Sequence, residues 1–94
     1  MTDLRKYARG RACQIRLPGI CNHDSATTVL AHVRMPGTGM GMKPPNVVGA
    51  HACSACHDAV DGRTQTEFSR DYLRLAHFEG MARTIALLVK DGIM

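Results

Sequence analysis

Four cysteines in two pairs constrain most strongly what this 94-residue chain can fold into. Cys13 and Cys21 lie in the stretch CQIRLPGIC, and Cys53 and Cys56 lie in CSACH. Each pair can bring two thiolates to one ion from a single turn, so the two turns together offer four ligands. A chain of this length builds only a small core, and such domains are often stabilised by a metal ion or by disulfides. The sequence therefore predicts a single cross-linked domain over residues 1–94.

The N-terminus bears on the choice between a metal and disulfides. The opening stretch MTDLRKYARGRAC contains no apolar run of about seven to fifteen residues and no small-residue cleavage site, so it does not resemble an export signal. No later stretch is apolar enough to predict a membrane span. We therefore expect a cytoplasmic protein without a membrane partner, and in a reducing compartment paired cysteines are metal ligands or catalytic thiols more often than disulfides.

The Cys-x-x-Cys-His stretch at residues 53–57 is also compatible with covalent haem attachment or with dithiol redox chemistry. A haem leaves Cys13 and Cys21 without a role and requires export machinery for which there is no signal. A thioredoxin-like site requires a βαβ pattern, and none surrounds this stretch. A structural Zn²⁺ bound by four thiolates accounts for every cysteine, and it is the cofactor that we predict, with a c-type haem protein as the remote alternative.

The first half of the chain predicts a short helix and two strands. Residues 3–12 are compatible with a basic helix that stops at Gly10. Residues 26–34, ATTVLAHVR, alternate as in a strand. The glycine- and proline-rich run at 35–45 predicts a long loop, and residues 46–50 predict a return strand that delivers the second cysteine pair.

The second half predicts two helices. Ser54 is expected to cap the first, which contains His57 and ends at Gly62. A capping box at residues 64–67 then opens a C-terminal amphipathic helix that ends near Lys90. Its apolar residues recur at three- and four-residue steps, so we expect them to face the core: Phe68, Tyr72, Leu75, Phe78, Ala82, Ile85 and Val89. The predicted fold class is therefore α+β.

The formal net charge of +4 is concentrated near the N-terminus. The first sixteen residues contain one acid, Asp3, and five cations: Arg5, Lys6, Arg9, Arg11 and Arg16. Such a cluster predicts salt-dependent affinity for a polyanion, and we assign Arg9 and Arg11 to nucleic-acid binding. Charge alone is equally compatible with an ordinary solubilising surface.

The polar residues around the second cysteine pair follow a particular order. His32 lies in the predicted strand, Asn46 follows the loop, and His57 stands directly after the last cysteine. The stretches LAHVR and PPNVVGAHACSACHDAV resemble the His-Asn-His (HNH) endonuclease motif over residues 13–63. The resemblance implies a small zinc-stabilised ββα-metal domain of the treble-clef type. Across its full length the chain also resembles the small prophage-encoded proteins of the YbcO-like family, whose nuclease activity is itself a proposal.

The HNH resemblance implies a metal-dependent endonuclease that hydrolyses phosphodiester bonds in DNA. It places His32 as the general base, and it has Asn46 orient the base or reach the metal. His57, held at the start of the helix, is expected to bind the catalytic metal or the phosphate. Hydrolysis needs an activated water and a cation that neutralises the phosphate, and an imidazole is partly neutral at physiological pH. Asp61 lies one turn after His57 on the same helix face, so both can converge on Mg²⁺ or another divalent cation. Asp61 can equally act as a partner of the helix dipole.

Two arginines extend this hypothesis, and one position departs from the HNH pattern. Arg34, on the strand face assigned to His32, and Arg63, just past the helix, are candidates to contact phosphate. Ordinary solvent-exposed charge explains both residues equally well. Ala31 stands where many HNH enzymes have an acidic or histidine ligand. Either waters and nearby polar side chains complete the coordination, or the protein is a non-catalytic zinc module that binds nucleic acid or a phage protein. Monomer and homodimer both remain open.

Overall fold

The computed structural model describes residues 3–34 and 45–94 of the chain. It is an α+β structure, as the sequence predicts, in which two short strands form one antiparallel sheet. The elements in chain order are α1 (Leu4–Tyr7), a 3₁₀ turn (Ser25–Thr27), β1 (Val29–His32), β2 (Gly49–Ala52), α2 (Ser54–Val60) and α3 (Arg70–Lys90).

The sheet pairs Val29 with Ala52 at one end and His32 with Gly49 at the other. All four β2 residues, GAHA, are buried, whereas only Ala31 of β1 is. Small side chains on β2 let α3 lie close above it, because little volume separates the two backbones. The core cluster is correspondingly built from small aliphatic and thiol side chains: Cys13, Ile15, Leu17, Ala31, Ala50, Ala52, Cys53, Cys56 and Ala59.

Helix α1 is shorter than predicted. It spans Leu4–Tyr7 rather than residues 3–12, and the Asp3 carboxylate caps it by accepting hydrogen bonds from two backbone N–H groups. Beyond Tyr7 the backbone tightens to i→i+3 hydrogen bonds, and Gly10 adopts a φ of +77°. The chain leaves the helix early because it must turn to bring the first cysteine to the core.

The predicted strand 26–34 is wrong in its first part. Residues 25–27 form a 3₁₀ turn because the Asp24 side chain accepts a hydrogen bond from the N–H of Ala26 at 3.0 Å. Ala31 and Val33 are buried as expected, whereas Val29 is 39 % exposed. The return strand begins at Gly49 rather than residue 46. The predicted loop 35–45 lies outside the described residues except for its last position.

Helix α2 has a different cap from the one predicted. Cys53 is the N-cap, and its Sγ accepts a hydrogen bond from the N–H of Cys56 at 3.4 Å. Ser54 is instead the first helical residue, and its hydroxyl accepts a hydrogen bond from the Asn22 amide at 3.2 Å. Because the cap is a cysteine, the start of α2 is held by the same residue that the metal prediction uses.

Helix α3 begins later than predicted, at Arg70, because the Ser69 hydroxyl accepts a hydrogen bond from the N–H of Tyr72 at 3.1 Å. The capping box at 64–67 is therefore wrong. The helix ends at Lys90, as expected. None of the helices in residues 3–34 and 45–94 is both long enough and apolar enough to cross a membrane.

The buried face of α3 is also different from the predicted stripe. Leu75 and Val89 are 58 % and 56 % exposed, and the buried residues are His77, Gly80, Thr84 and Leu88. A Cβ added at Gly80 would lie 2.8 Å from Cγ1 of Ile15, and the Thr84 hydroxyl accepts a hydrogen bond from the N–H of His51 at 3.0 Å. The close approach of α3 to Ile15 selects a glycine at position 80, and the hydrogen bond to β2 selects a threonine at position 84, so hydrophobicity did not mark this face.

Candidate metal centre and histidine cleft

The four cysteine sulfurs converge in one place. All four cysteines are free, and their Sγ atoms lie within 4.8 Å of one another. Zinc–sulfur bonds of about 2.3 Å at tetrahedral angles place sulfurs about 3.8 Å apart, and the Sγ atoms of Cys53 and Cys21 lie 3.8 Å apart. A set of four thiolates is the donor set of closed structural zinc sites. The cluster, which we call the cysteine cluster, can therefore hold a metal ion such as Zn²⁺.

Cys13 and Cys21, which have seven residues between them, both reach the cysteine cluster because the chain reverses twice between them. Arg16 has a φ of 55° and Gly19 a φ of 73°, both in the left-handed region. The first reversal lets the N–H of Arg16 donate to the Sγ of Cys13 at 3.5 Å, and the second brings the N–H of Cys21 to the carbonyl of Leu17 at 3.0 Å. The seven-residue separation is thus folded into a compact turn.

The thiol pKa values in the cysteine cluster are strongly divided. A hydrogen bond from Cys56 lowers the pKa of Cys13 to about 4, and the same contact raises the pKa of Cys56. Burial raises the pKa of Cys21. An ion bound by all four sulfurs must displace the thiol protons, so we expect metal affinity to fall as the pH falls.

The geometry of the cluster does not favour a haem. Cys53 and Cys56 are 0 % exposed, and their sulfurs face the other two cysteines. A porphyrin attached to both would have to enter a closed core. His23, which is exposed, lies beside the cluster with its Nδ1 3.7 Å from the Sγ of Cys21, whereas His51 is buried against the Tyr7 ring.

A cleft of about 670 Å³ lies where the end of β1, the end of α2 and the first half of α3 meet. Four predicted site residues line this cleft, which we call the histidine cleft: His32, Arg34, Asp61 and Arg63. Its wall also contains residues of α3 that sequence reasoning did not single out: Arg70, Asp71, Leu73, Arg74 and His77. Their presence depends on how α3 docks, for which no local sequence signal exists.

His32 contacts Asn46 directly. Its Nε2 lies 2.8 Å from the Asn46 side-chain oxygen. An amide oxygen only accepts hydrogen bonds, so this contact requires a proton on Nε2 and leaves Nδ1 as the basic nitrogen. The structure therefore brings together two of the three residues of the His-Asn-His pattern, across a separation of 14 positions.

The third residue of the pattern, His57, pairs with Asp61. The His57 Nε2 lies 3.3 Å from the Asp61 Oδ2, and Arg63 approaches the same oxygen at 3.7 Å. His57 directly follows the buried Cys56, and its N–H donates to the carbonyl of Cys53 at 2.9 Å. The cysteine cluster thus holds the helix turn from which the imidazole projects.

His57 and Asp61 offer a nitrogen and an oxygen to a divalent cation. Within residues 3–34 and 45–94, only the cysteines form a group of three or more such side chains close enough to hold an ion. Any cation at His57 and Asp61 would therefore take its other ligands from water, an amide or a phosphate, which Mg²⁺ tolerates. The Ala31 side chain is 1 % exposed and packs in the core, so position 31 points away from the cleft.

His77 is a buried histidine in the cleft wall. Its Nε2 donates to the carbonyl of Ala31 at 2.9 Å, which anchors α3 to the strand residue before His32. Burial lowers the pKa of His77, so the ring is held neutral. This contact sets the distance between α3 and β1, which form opposite sides of the cleft.

The two arginines predicted near the N-terminus lie elsewhere. Arg11 approaches Asp91 at 3.9 Å, and its guanidinium lies 4.0 Å from the centre of the Tyr7 ring. Asp91 caps the C-terminal end of α3, whereas the histidine cleft is lined by its first turns. The rise per residue of an α-helix places the two ends of α3 roughly 30 Å apart. Arg11 and its exposed neighbour Arg9 therefore belong to the other end of the helix from the histidine cleft.

Comparisons with known proteins identify the family. A family model described as "Putative nuclease YbcO" matches residues 2–93. The chain belongs to the YbcO family. It is 50 % identical, over 95 residues, to "Putative nuclease YbcO" of Escherichia coli (strain K12) and to "Putative nuclease ybcO" of Enterobacteria phage 82, covering all of this chain and 98 % of each relative. The YbcO-like resemblance seen in the sequence is thereby confirmed.

A solved structure from Escherichia coli is also similar to this chain. It is described as "Structure of a putative bacteriophage protein from Escherichia coli str. K-12 substr. MG1655". The match has a TM-score of 0.83 at 46 % sequence identity, and it covers 96 % of this chain and all of the other. The two chains therefore share their fold over nearly their whole length.

Proposed function

We propose that this protein is an HNH-type endonuclease that hydrolyses phosphodiester bonds in DNA with the help of a divalent cation. The observation that carries the proposal is the histidine cleft, where His32, bonded to Asn46, and Asp61, bonded to His57, lie among arginines. The names of the relatives from Escherichia coli and phage 82, which describe nucleases, agree with it.

A structural Zn²⁺ in the cysteine cluster is part of the same proposal. The four sulfurs lie close together between the N-terminal turn and the start of α2, and the order β1, β2, α2 is the one that a ββα-metal unit of the treble-clef type requires, which supports the proposal. The ion would hold together two turns that are far apart in the sequence, and a thin aliphatic core benefits from such a cross-link.

In the proposed mechanism His32 accepts a proton from the attacking water through Nδ1, while Asn46 holds the ring through Nε2. His57 and Asp61 would hold Mg²⁺, which when bound supplies positive charge to the phosphate and the leaving oxygen. Arg34 and Arg63 on the cleft wall stabilise the negative charge that develops on the phosphate. These roles leave the cleft-lining polar residues of α3 without a part in the chemical step: Arg70, Asp71, Arg74 and His77.

The test is plasmid nicking by His32→Ala in Mg²⁺ or Mn²⁺. Removal of a general base lowers rates by about 10² to 10⁴-fold, so we expect nicking to fall in that range with zinc content and thermal unfolding unchanged. His23→Asn is the matched control, since it removes an exposed imidazole outside the cleft and keeps a residue that tolerates the φ of 56° at this position. If His32→Ala nicks as fast as the parent protein, the base is assigned incorrectly.

A second candidate function is a zinc module that binds nucleic acid or a phage protein without cutting. It is favoured by the lack of a third cation ligand beside His57 and Asp61 in the part of the chain that the structure describes. The same experiment separates the two functions. If neither the parent nor His32→Ala nicks plasmid but both retard labelled DNA on a gel, the module is the correct function.

A further inference from the structure

Helix α3 presents two arginines to the histidine cleft, Arg70 and Arg74. They lie one helical turn apart, and both line the same cleft as His32 and Asp61. Side chains at i and i+4 share one face of a helix, so the two guanidinium groups point along the same wall. Their Cα atoms are separated by about 6 Å along the helix axis.

Neither arginine has an acidic partner. In residues 3–34 and 45–94, no carboxylate forms an ion pair with the guanidinium of Arg70 or Arg74. The remaining residues, 1–2 and 35–44, contain no Asp or Glu at all. Arg74 lies with its guanidinium carbon 5.2 Å from the centre of the Phe78 ring, which supports the side chain without neutralising it. Both charges are therefore available to a ligand.

Other arginines of the molecule are already engaged with the protein itself. Arg16 and Arg83 donate to the backbone carbonyls of Cys13 and Gln14 at 3.2 and 2.9 Å. Arg11 approaches Asp91 at 3.9 Å. The cleft wall contains four arginines and two aspartates: Arg34, Arg63, Arg70, Arg74, Asp61 and Asp71. Arg63 is paired with Asp58 and Asp61, so the cleft wall leaves the charges of Arg70 and Arg74 for a polyanion.

We propose that Arg70 and Arg74 form a phosphate-binding track, so that the backbone of the DNA strand runs along the first turns of α3. The inference rests on the proposed function, because it takes DNA as the ligand of the cleft. The phosphates of one strand are spaced by about 3.4 Å along the duplex axis, so two guanidinium groups on residues about 6 Å apart along α3 can reach separate phosphates of that strand. Asp71 also lines the cleft and repels phosphate, so the phosphates are expected to lie against the two guanidinium groups and away from this carboxylate.

The experiment measures the salt dependence of DNA binding by the zinc-loaded protein. A fluorescein-labelled duplex of about two helical turns is titrated by anisotropy at several NaCl concentrations, without added divalent cation to prevent cleavage and without chelator to keep the zinc. Each phosphate contact contributes about 0.9 to the slope of log K against log[NaCl]. The double variant Arg70→Ala/Arg74→Ala should therefore lose about 1.8 of that slope, and about 60-fold in affinity at about 0.1 M NaCl.

Two further variants make the result specific. Arg70→Lys/Arg74→Lys keeps both charges and should keep most of the parent's slope. Lys90→Ala removes an exposed cation from the other end of α3 and should leave the slope unchanged. If the Arg70→Ala/Arg74→Ala variant keeps the parent's slope, or if Lys90→Ala lowers the slope by as much per charge removed, the track is overturned.

The proposed function and the track fail in different ways. A parent protein that never nicks plasmid, yet loses slope in the Arg70/Arg74 variant, retains the track and refutes the nuclease. A parent protein that nicks plasmid while the variant keeps its slope retains the nuclease and refutes the track. All variants change exposed side chains, so thermal unfolding should match that of the parent.

Discussion

The cysteine cluster and the histidine cleft are neighbouring regions built in opposite ways. Both regions use helix α2. At the start of the helix, Cys53 and Cys56 belong to the cysteine cluster, and just past the end of the helix Asp61 lines the histidine cleft. The cluster is closed, with two of its cysteines 0 % exposed. The cleft is open and is bordered by three different elements. The comparison indicates that the cysteine cluster can stabilise the fold while the histidine cleft supplies the groups available for a reaction.

The contrast has a physical basis in what each region contains. The cluster buries sulfurs that a metal ion can cross-link, and a structural metal contributes directly to folding. Apart from the buried His77, the cleft contains exposed or half-buried polar groups, whose replacement removes little buried apolar surface. Substitutions in the cluster should therefore unfold the protein, and substitutions in the cleft should leave the fold intact while changing activity. The predictions below test this division.

The largest effect is expected from Cys56→Ser. A structural zinc site contributes about 10 kcal/mol or more to apparent folding stability, so loss of one buried ligand should leave the chain largely unfolded at room temperature and low in zinc. Circular dichroism and metal analysis measure both. Ser54→Ala, an exposed change in the same helical turn, is the control. A Cys56→Ser protein that unfolds at the parent's temperature would show that the cluster is not a structural metal site.

Asp61→Asn should act on activity alone. The substitution keeps the shape of the side chain but removes the charge beside His57, and the loss of a metal-site partner typically costs about 10 to 100-fold. We expect plasmid nicking to fall by this factor at fixed Mg²⁺, with unchanged thermal unfolding. Asp58→Asn, on the same helix and 3.9 Å from Arg63, is the matched control. Equal losses in both variants would indicate a general charge effect rather than a role for Asp61.

Gly80→Ala tests whether α3 supports the cluster region. The added Cβ would meet Ile15, between the two halves of the cysteine turn, at 2.8 Å. Overpacking costs about 1–3 kcal/mol, and the helix-propensity gain of about 1 kcal/mol offsets part of it. Because the added Cβ would also meet the backbone Cα and N of Ile15 at 3.1 and 3.2 Å, we expect the upper part of the overpacking range and a net loss of about 1–2 kcal/mol in urea unfolding. Glu79→Ala, an exposed neighbour, should be nearly neutral, and an equally stable Gly80→Ala would show that the two elements are not tightly packed.

The smallest effect concerns His51, which lies beneath Tyr7. Burial, with a smaller contribution from Arg11, lowers its pKa in the folded protein. The unfolded chain then binds more protons than the folded one below about pH 6.5. The contribution of the neutral His51 ring to the free energy of unfolding is therefore present above this pH. It is lost as the pH falls toward the pKa of His51 in the folded protein.

Acid also weakens metal binding, so the His51 effect is isolated by comparison with a variant. Urea unfolding at pH 7.5 and pH 5.5 should show a smaller pH-dependent loss in His51→Gln, which cannot titrate, than in the parent protein. Zinc content measured at both values separates metal release from histidine protonation. Equal losses in the two proteins would contradict the role given to His51.

Much of the fold followed from local patterns, and its errors have identifiable causes. The order of two strands and two helices and the end of α3 at Lys90 were predicted correctly from periodicity and end signals. The buried face of α3 was not, because Gly80 and Thr84 are selected by close backbone approach and by a hydrogen bond rather than by hydrophobicity. The helix caps were also predicted incorrectly. Cys53 caps α2 in place of Ser54, and Ser69 caps α3 in place of Thr64.

The sequence by itself determined the family and indicated that the four cysteines converge. Two ligands that come from one turn lie close together in the sequence, so the spacing of the cysteines predicts their convergence. Only the tertiary structure decided which charges share a site. It placed Arg70 and Arg74 beside His32 and moved Arg11 to the far end of α3. Because α3 is a rod roughly 30 Å long, its docking on β2 decides which of its ends meets the cleft, and composition does not contain that information.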